Sequence, residues 1–364
     1  MLKAPKLKVL ALTRYGRLAA SSRYRLLQFL PAFSAAEIDV AVKPLFDDWY
    51  IRSLVEGRRP SEAKIVAAYL MRVLNLLGRQ QPDVVWIERE LLPWMPWMLE
   101  RLLLRHRAPT ILDLDDSVYH RYDMHPSSIV RKFLGRRIDQ AMAAATVVTC
   151  GNPTIAKRAY DSGARRVVEL PTVIDLARYP AEPAPQLPNG VFTIGWIGSP
   201  QNSPYLEALR QPLTQLAAES QIRILVIGGR PDVLKGLPVE VRPWSEDTEV
   251  AALCEMDVGI MPLPDLPFER GKCGLKLLQY MSAWKPAIAS PVGINTHIIE
   301  AGVSGFLAVE PDEWLASFRR LRDEPALRQV MGTSGRRHVE REYCMRRAST
   351  RLIELIRELA PPRA

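Results

Sequence analysis

The chain has 364 residues, of which 48% are hydrophobic and 24% charged, and its formal net charge is +9. That length exceeds what one core comfortably serves and suits two domains of roughly 150–180 residues each, and such a composition excludes extended disorder. The positive balance favours anionic partners such as nucleotide diphosphates or an anionic lipid surface; nucleic acid is not expected, since the basic residues are dispersed and form no zinc-finger spacing, RNP-like motif or arginine-rich arm.

The cysteines at 150, 254, 273 and 344 stand far apart with no C-x-x-C pair, which fits a reducing compartment. The apolar run at 9–12 is too short for a signal-peptide core, and no stretch reaches the roughly 18 apolar residues of a membrane span. The expectation is a cytoplasmic protein, with peripheral association at the inner face of the plasma membrane as an additional role.

In chain order, residues 8–13 (KVLALT) read as a buried first strand, followed by a polar turn and a helix beginning near Ser22. Strand-like runs recur at 83–87 (DVVWI), 110–114 (TILDL) and 146–150 (TVVTC), with a weaker one at 167–170. Their alternation with helical patterns predicts βαβ units and a parallel sheet. Between them, 91–104 (LLPWMPWMLERLLL) is rich in Trp, Met and Leu and reads either as a helix packed on the sheet or as an interfacial helix at an anionic membrane.

Residues 180–190 (PAEPAPQLPNG) hold four prolines, which neither a helix nor a central strand accepts, so a linker is expected at 181–190. A second series then begins, with strands at 192–197, 223–227, 239–242, 258–261 and 287–289 and a helix over 204–219, for which Ser203 and Pro204 make a plausible N-cap and N1 pair. The chain closes on a helical run at 345–359. The predicted organisation is 1–180 as a first Rossmann-like domain, 181–190 as linker, 191–340 as a second Rossmann-like domain, and 341–364 as a terminal helical segment.

Two such halves imply a cleft, with ligands at the carboxyl ends of the strands. The most informative segment is 269–293, ERGKCGLKLLQYMSAWKPAIASPVG. Gly271, Lys272 and Gly274 open a helix whose first amides and dipole can meet a phosphate, with Lys272 or Lys276 adding charge. Lys272, Lys276 and Gln279 then recur at spacings of four and three, while Leu275, Leu278 and Met281 are available for a core.

This segment resembles the family-four group of retaining glycosyltransferases (glycosyl transferases group 1), through Cys273-Gly274-Leu275, Gln279, Met281, Lys285-Pro286 and Ala287-Ile288-Ala289. The later Pro291-Val292-Gly293 and Gly305-Phe306-Leu307 resemble the same family's ending. The resemblance covers about 190–345 and is looser before that. It implies an α/β fold of GT-B architecture, two Rossmann-like domains with parallel sheets facing each other across a cleft, and a terminal helix crossing back to the first domain. The implied reaction is transfer of a sugar from a nucleotide diphosphate sugar to a glycan or lipid-linked glycan of the cell envelope, with retention and in hexosyltransferase-like manner. No cofactor is implied and metal is not required.

Two departures stand out. The family's paired glutamates fall here on Gly271 and Gln279, so Gln279 is expected to hydrogen-bond a ribose through its amide, and Glu269 lies two residues early. The basic pair that the family carries after the first strand of the second domain is replaced by Gly198-Ser199-Pro200-Gln201-Asn202, which leaves Lys272, Lys276, Arg270 and backbone amides for the diphosphate. These departures motivate a rival reading, a non-catalytic GT-B homologue that binds a nucleotide sugar or a partner enzyme.

The donor candidates are Gly198, Ser199, Arg270, Gly271, Cys273, Gly274, Leu275 and Gln279, with Trp244, after the third strand of the second series, as either a wall for the base or a plain core residue. Lys272 and Lys276 stabilise the leaving phosphate, and Asp115 stands roughly where the family often has a cleft histidine. Arg14, Ser22, Arg23, Arg89, Asp116 and His120 follow strands of the first half and are candidates for the acceptor. Asp113-x-Asp115 imitates a D-x-D metal motif, Asp115 also suits a turn cap, and His120 and His125 also suit plain surface positions.

Overall fold

The computed structural model describes residues 6–78, 81–104, 108–183 and 190–361. The chain divides into two compact units. The first comprises 1–172, 271–273 and 346–364, and the second 173–270 and 274–345. Most of the expected linker, 184–189, lies outside the described residues.

In the first unit six strands form one parallel sheet in the order β2-β1-β3-β4-β5-β6: β1 (Leu7–Leu12), β2 (Ile38–Val42), β3 (Val84–Glu88), β4 (Thr110–Leu114), β5 (Val147–Cys150) and β6 (Val167–Glu169). Every residue of β3 is buried, as a parallel strand covered on both faces should be. The second unit repeats the plan in the order β12-β11-β10-β7-β8-β9: β7 (Phe192–Ile197), β8 (Ile222–Ile227), β9 (Val239–Arg242), β10 (Val258–Met261), β11 (Ala287–Ala289) and β12 (Gly305–Leu307). Here β7 is buried throughout, and Trp196 and Ile260 lie in its core.

Ten of these strands coincide with the apolar runs of the sequence within a residue or so. The two that the sequence pattern did not mark, β2 and β12, are both edge strands and partly exposed; β2 carries Asp39 among its apolar residues, and β12 is only 3 residues long. The helix expected over 204–219 is two pieces, a 3-10 turn at Ser203–Leu209 and a helix at Arg210–Glu219. Ser203 does not cap it: its hydroxyl donates to the Pro200 carbonyl (2.9 Å) and accepts from the Arg230 amide (3.2 Å), tying two loops together instead. The final helix, Met345–Leu359, begins and ends where its pattern does.

In a doubly wound sheet, ligands gather outside the carboxyl ends of the strands where the winding reverses. In the first sheet that place lies between β1 and β3, and in the second between β7 and β10. The residues after β1 are Thr13 and Arg14, and those at the end of β3 are Glu88, Arg89 and Glu90. After β7 come Gly198 and Ser199, and after β10 comes the loop that leads to Lys276 and Gln279.

Candidate functional site

The reversal point of the second unit is built around Tyr280. Its fully buried hydroxyl accepts from the Ile197 amide (3.1 Å) and donates to the Ile260 carbonyl (3.1 Å), so one phenol bridges β7 and β10 and fixes the helix Leu275–Ser282 over both strands. Gly259 makes room for the ring, since a Cβ there would stand 2.1 Å from it. Burial pushes the Tyr280 phenol well up, so it remains a protonated donor.

That helix opens on Gly274, held in the left-handed region (φ 67°) that glycine tolerates best. A side chain there would press on Ile298 at 2.2 Å. Among the described residues no side chain caps the helix and no acid lies in its first turn, so neither of these offsets the positive end of the dipole. Lys276, in the first turn, sets its ammonium 5.4 Å from the centroid of Trp196. Gly198 lies against both: a Cβ on it would fall 2.4 Å from the Trp196 ring and 3.1 Å from Lys276 Cε. Gly198, Lys276 and the helix start are therefore one cluster at the end of β7.

Gln279 is buried on the same helix. Leu277, Leu278, Tyr280 and Met281 are fully buried, whereas Leu275 is half-buried, so Leu277 and Tyr280 take the core place that spacing had given to Leu275. Lys272 precedes the first turn, so it does not continue the stripe of Lys276 and Gln279.

The remaining donor candidates are placed as follows. Ser199 is exposed and accepts from Asn202 Nδ2 (3.2 Å). Trp244 donates its indole N–H to the buried carboxylate of Glu249 (2.8 Å), which also receives Arg178 (3.0 Å), and the indole is partly buried beside the turn at Gly228. Arg270 forms a two-pronged, exposed pair with Asp265 (2.6 and 2.9 Å). Glu269 is buried and accepts from the Tyr205 hydroxyl.

Gly271, Lys272 and Cys273 group with the first unit. Asn152, whose Oδ1 caps the helix Pro153–Asp161 through the Ile155 amide (3.0 Å), donates with its Nδ2 to the carbonyls of Gly271 (2.7 Å) and Lys272 (3.2 Å). Gly271 packs so closely that a Cβ would overlap the Ser117 hydroxyl at 1.6 Å, so an acid at this position would not fit the observed backbone. The charge of Lys272 reaches Asp116, the neighbour of Asp115.

The reversal point of the first unit is a buried ionic network. Arg14 donates its amide to Glu88 (3.3 Å) and pairs its guanidinium with Glu90, and the Ser22 hydroxyl donates to Glu88 (2.7 Å). Glu90 also meets Arg137 and the Tyr122 hydroxyl, and Arg137 continues to Glu100. Burial would raise both Glu88 and Glu90. Glu88 does lie above its ordinary range, while Arg14 and Arg137 overcome the effect at Glu90 and hold it below.

Arg89 adopts φ 62°, a left-handed backbone that a long side chain rarely takes, and its guanidinium grips Asp115 with two bonds (2.5 and 3.0 Å) while lying 3.5 Å from Asp116. Burial works against ionisation of both acids. At Asp115 the Arg89 charge outweighs it and the carboxyl lies below its usual range; at Asp116 burial prevails, with Asp115 adding to it, and the carboxyl lies above. Asp113 is occupied by Arg25 (2.9 and 2.6 Å) and the Thr149 hydroxyl (2.5 Å), so both acids of the D-x-D string face guanidinium groups. Arg23 spans the carbonyls of Arg17 (2.9 Å) and Leu18 (3.1 Å), shaping the loop after β1. His120 lies 2.9 Å from Asp123 and against the Tyr119 ring, and His125 accepts from the Ser127 amide (3.1 Å).

Sequence reasoning missed Arg25, Arg137 and Tyr280. Arg137 sits on a helix whose other buried positions are Ile138, Ala141 and Met142, so a basic residue on an apolar face was the available signal; Arg25 lies among Ser22, Arg23 and Tyr24, where no such contrast exists. Nothing in its local pattern distinguishes Tyr280 from a plain core aromatic.

Residues 191–324 match the family model described as glycosyl transferases group 1. No curated protein matches the sequence significantly. Among solved structures, a sucrose-phosphate synthase from Thermosynechococcus elongatus superposes with TM-score 0.74 at 14% identity, covering 97% of this chain and 99% of that one. HepE from Anabaena in complex with UDP-glucose gives 0.71 at 14% identity over 97% and 100%. A UDP-forming α,α-trehalose-phosphate synthase from Burkholderia xenovorans gives 0.64 at 15% identity over 98% and 100%. Residues 191–324 belong to the glycosyl transferases group 1 family, and the chain as a whole has the two-domain α/β fold of GT-B glycosyltransferases.

Proposed function

We propose that the protein transfers a hexosyl group from a nucleotide diphosphate sugar to a glycan or lipid-linked glycan of the cell envelope, with retention of anomeric configuration, at the cytoplasmic side of the membrane. The observation that carries the reading is the cluster of Gly198, Lys276 and the uncapped start of helix Leu275–Ser282 at the reversal point of the second sheet, inside the segment that matches the group 1 family. A glycine turn, a cation and a helix N-terminus together suit a diphosphate. Gln279, one turn further on, suits the ribose, and Trp244 suits the base.

The chemistry required of the protein is modest. The leaving phosphate oxygen can take the acceptor proton, so no covalent nucleophile is needed, and Lys276, Lys272 and the helix dipole stabilise the charge that develops on the leaving diphosphate. Asp115, held ionised by Arg89, is the acid assigned to orient sugar or acceptor, and Arg14, Ser22, Arg23, Arg89, Asp116 and His120 are assigned to the acceptor side. No cofactor or metal is assigned.

The test is a thermal-shift panel of UDP, GDP, ADP and CMP with their common sugar conjugates, with and without magnesium, because a ligand of the native state raises stability by mass action. UDP is the first choice, since HepE was solved with UDP-glucose. A shift with one diphosphate and not the others names the base. No shift with any of them removes the donor site.

One observation favours a second reading. Gly271 and Gln279 stand where the family carries acids, and Gly271 is packed against Ser117 with no space for one. A non-catalytic homologue that binds a nucleotide sugar or a partner enzyme would have this feature. Donor turnover separates the two readings: binding without hydrolysis or transfer for any acceptor supports the second.

A further inference from the structure

The first unit exposes an apolar surface that its own core does not use. On helix Glu62–Leu77 the residues Val66, Leu70, Leu74 and Leu77 recur at helical spacing and are 58–61% exposed, while Arg72 and Leu76 face inward. The next segment adds Trp94 (47%) and, on helix Trp97–Leu104, Met98 (80%) and Leu102 (66%). Helix Ser128–Leu134 adds Ile129 and Phe133, both 68% exposed.

These stripes are joined. The Tyr69 hydroxyl of the first helix donates to the Pro93 carbonyl (2.7 Å), Trp94 packs on Tyr122 and His125 with ring centres at 5.0 and 5.8 Å, and Arg131 of the third helix donates to the His125 carbonyl (2.6 Å). Trp94 is held at φ 62°, a conformation that bulky residues avoid, which turns a large aromatic outward rather than into the core. A monomeric soluble protein seldom exposes so extended an apolar face unless the face is used.

The charges around it indicate what uses it. Over 62–77, 94–102 and 124–136 the exposed charged residues are Lys64, Arg101, Arg131, Lys132 and Arg136, against the single acid Glu62. Glu100 points inward to Arg137 and Leu92. Apolar stripes carrying an outward Trp and bordered by cations fit the interfacial zone of an anionic bilayer, where the side chains enter the acyl boundary and Lys and Arg meet lipid phosphates.

We infer that the face formed by helix Glu62–Leu77, residues 94–102 and helix Ser128–Leu134 docks this protein on an anionic lipid bilayer. None of its residues is among those assigned to the sugar-transfer site, and the docking needs no nucleotide. Its failure is therefore distinguishable from failure of the transfer reading, which rests on nucleotide shifts and turnover.

The experiment is flotation of the full chain with vesicles of equal parts phosphatidylglycerol and phosphatidylcholine, and with phosphatidylcholine alone. The wild type floats with the mixed vesicles and is released by high salt. The variant Leu70→Gln/Leu74→Gln/Met98→Gln/Phe133→Ser, altered only at exposed positions, loses at least about tenfold in partitioning while keeping its melting temperature, and Arg101→Gln/Lys132→Gln/Arg136→Gln loses the preference for anionic lipid. No flotation of the wild type, or equal flotation of the apolar variant, overturns the inference. So does a wild-type dimer in solution that the apolar variant turns into a monomer, since the face would then be an interface between two copies.

Discussion

The ammonium of Lys276 lies 5.4 Å from the centre of the Trp196 ring, which places a cation on the helix after β10 beside the last residues of β7. The contact brings the charge to the turn at Gly198 and joins the two strands that flank the reversal point. Replacing Lys276 by alanine is expected to lower kcat at least about tenfold, or about 1.4 kcal/mol of barrier, in a protein that stays folded. Lys272→Ala is expected to do the same. Steady-state kinetics with the donor identified by thermal shift check both, and unchanged kcat in both variants removes the phosphate role.

Gln279, buried on the helix Leu275–Ser282, is the residue proposed to meet the ribose. Gln279→Ala is expected to weaken nucleoside diphosphate binding by about tenfold, the loss of one buried hydrogen bond to a neutral group. Isothermal calorimetry checks it, and wild-type affinity in a cooperatively folding variant excludes the ribose contact.

Asp115 and Arg89 form a nearly buried two-bond pair. Asp115→Asn leaves the Arg89 charge without its main partner and is expected to cost about 3–5 kcal/mol in denaturant unfolding. Adding Arg89→Gln should recover part of that loss, because the unpaired charge is gone. If the double variant is stable but turns over at least about tenfold more slowly, the Arg89–Asp115 pair acts on the reaction beyond its contribution to folding.

Glu100 gives a pH signature. Burial is the larger effect and outweighs its pairing with Arg137, so the carboxyl is pushed from 4.5 to about 7. The folded state therefore holds this proton more tightly than the unfolded chain, and the resulting stability is fully present below pH 4.5 and lost as the pH rises through about 7. Glu100→Gln lacks this dependence. The stability difference, wild type minus variant, is expected to fall by about 3 kcal/mol between pH 4.5 and pH 8, measured by denaturant unfolding across that range. A difference that stays flat over this range contradicts the assignment.

How much could be read without coordinates varies from residue to residue. The two parallel-sheet series were legible in the amino-acid sequence, because a strand buried on both faces is written as a near-continuous apolar run, as in 84–87 and 194–197, and because such runs recur between helical patterns. The sequence also determined that Gly274 opens a helix and that 345–359 is helical, since glycine and periodicity are local signals. The edge strands β2 and β12 escaped because Asp39 interrupts the apolar residues of β2 and β12 is only 3 residues long. The bridge of Tyr280 between β7 and β10, the place of Lys276 over Trp196, and the closure of Arg25 on Asp113 and of Arg137 on Glu90 and Glu100 come from the folded chain. Each of these contacts joins elements well separated along the chain, and residue type specifies what a group can bond to but not which distant partner the winding of the sheet brings within reach.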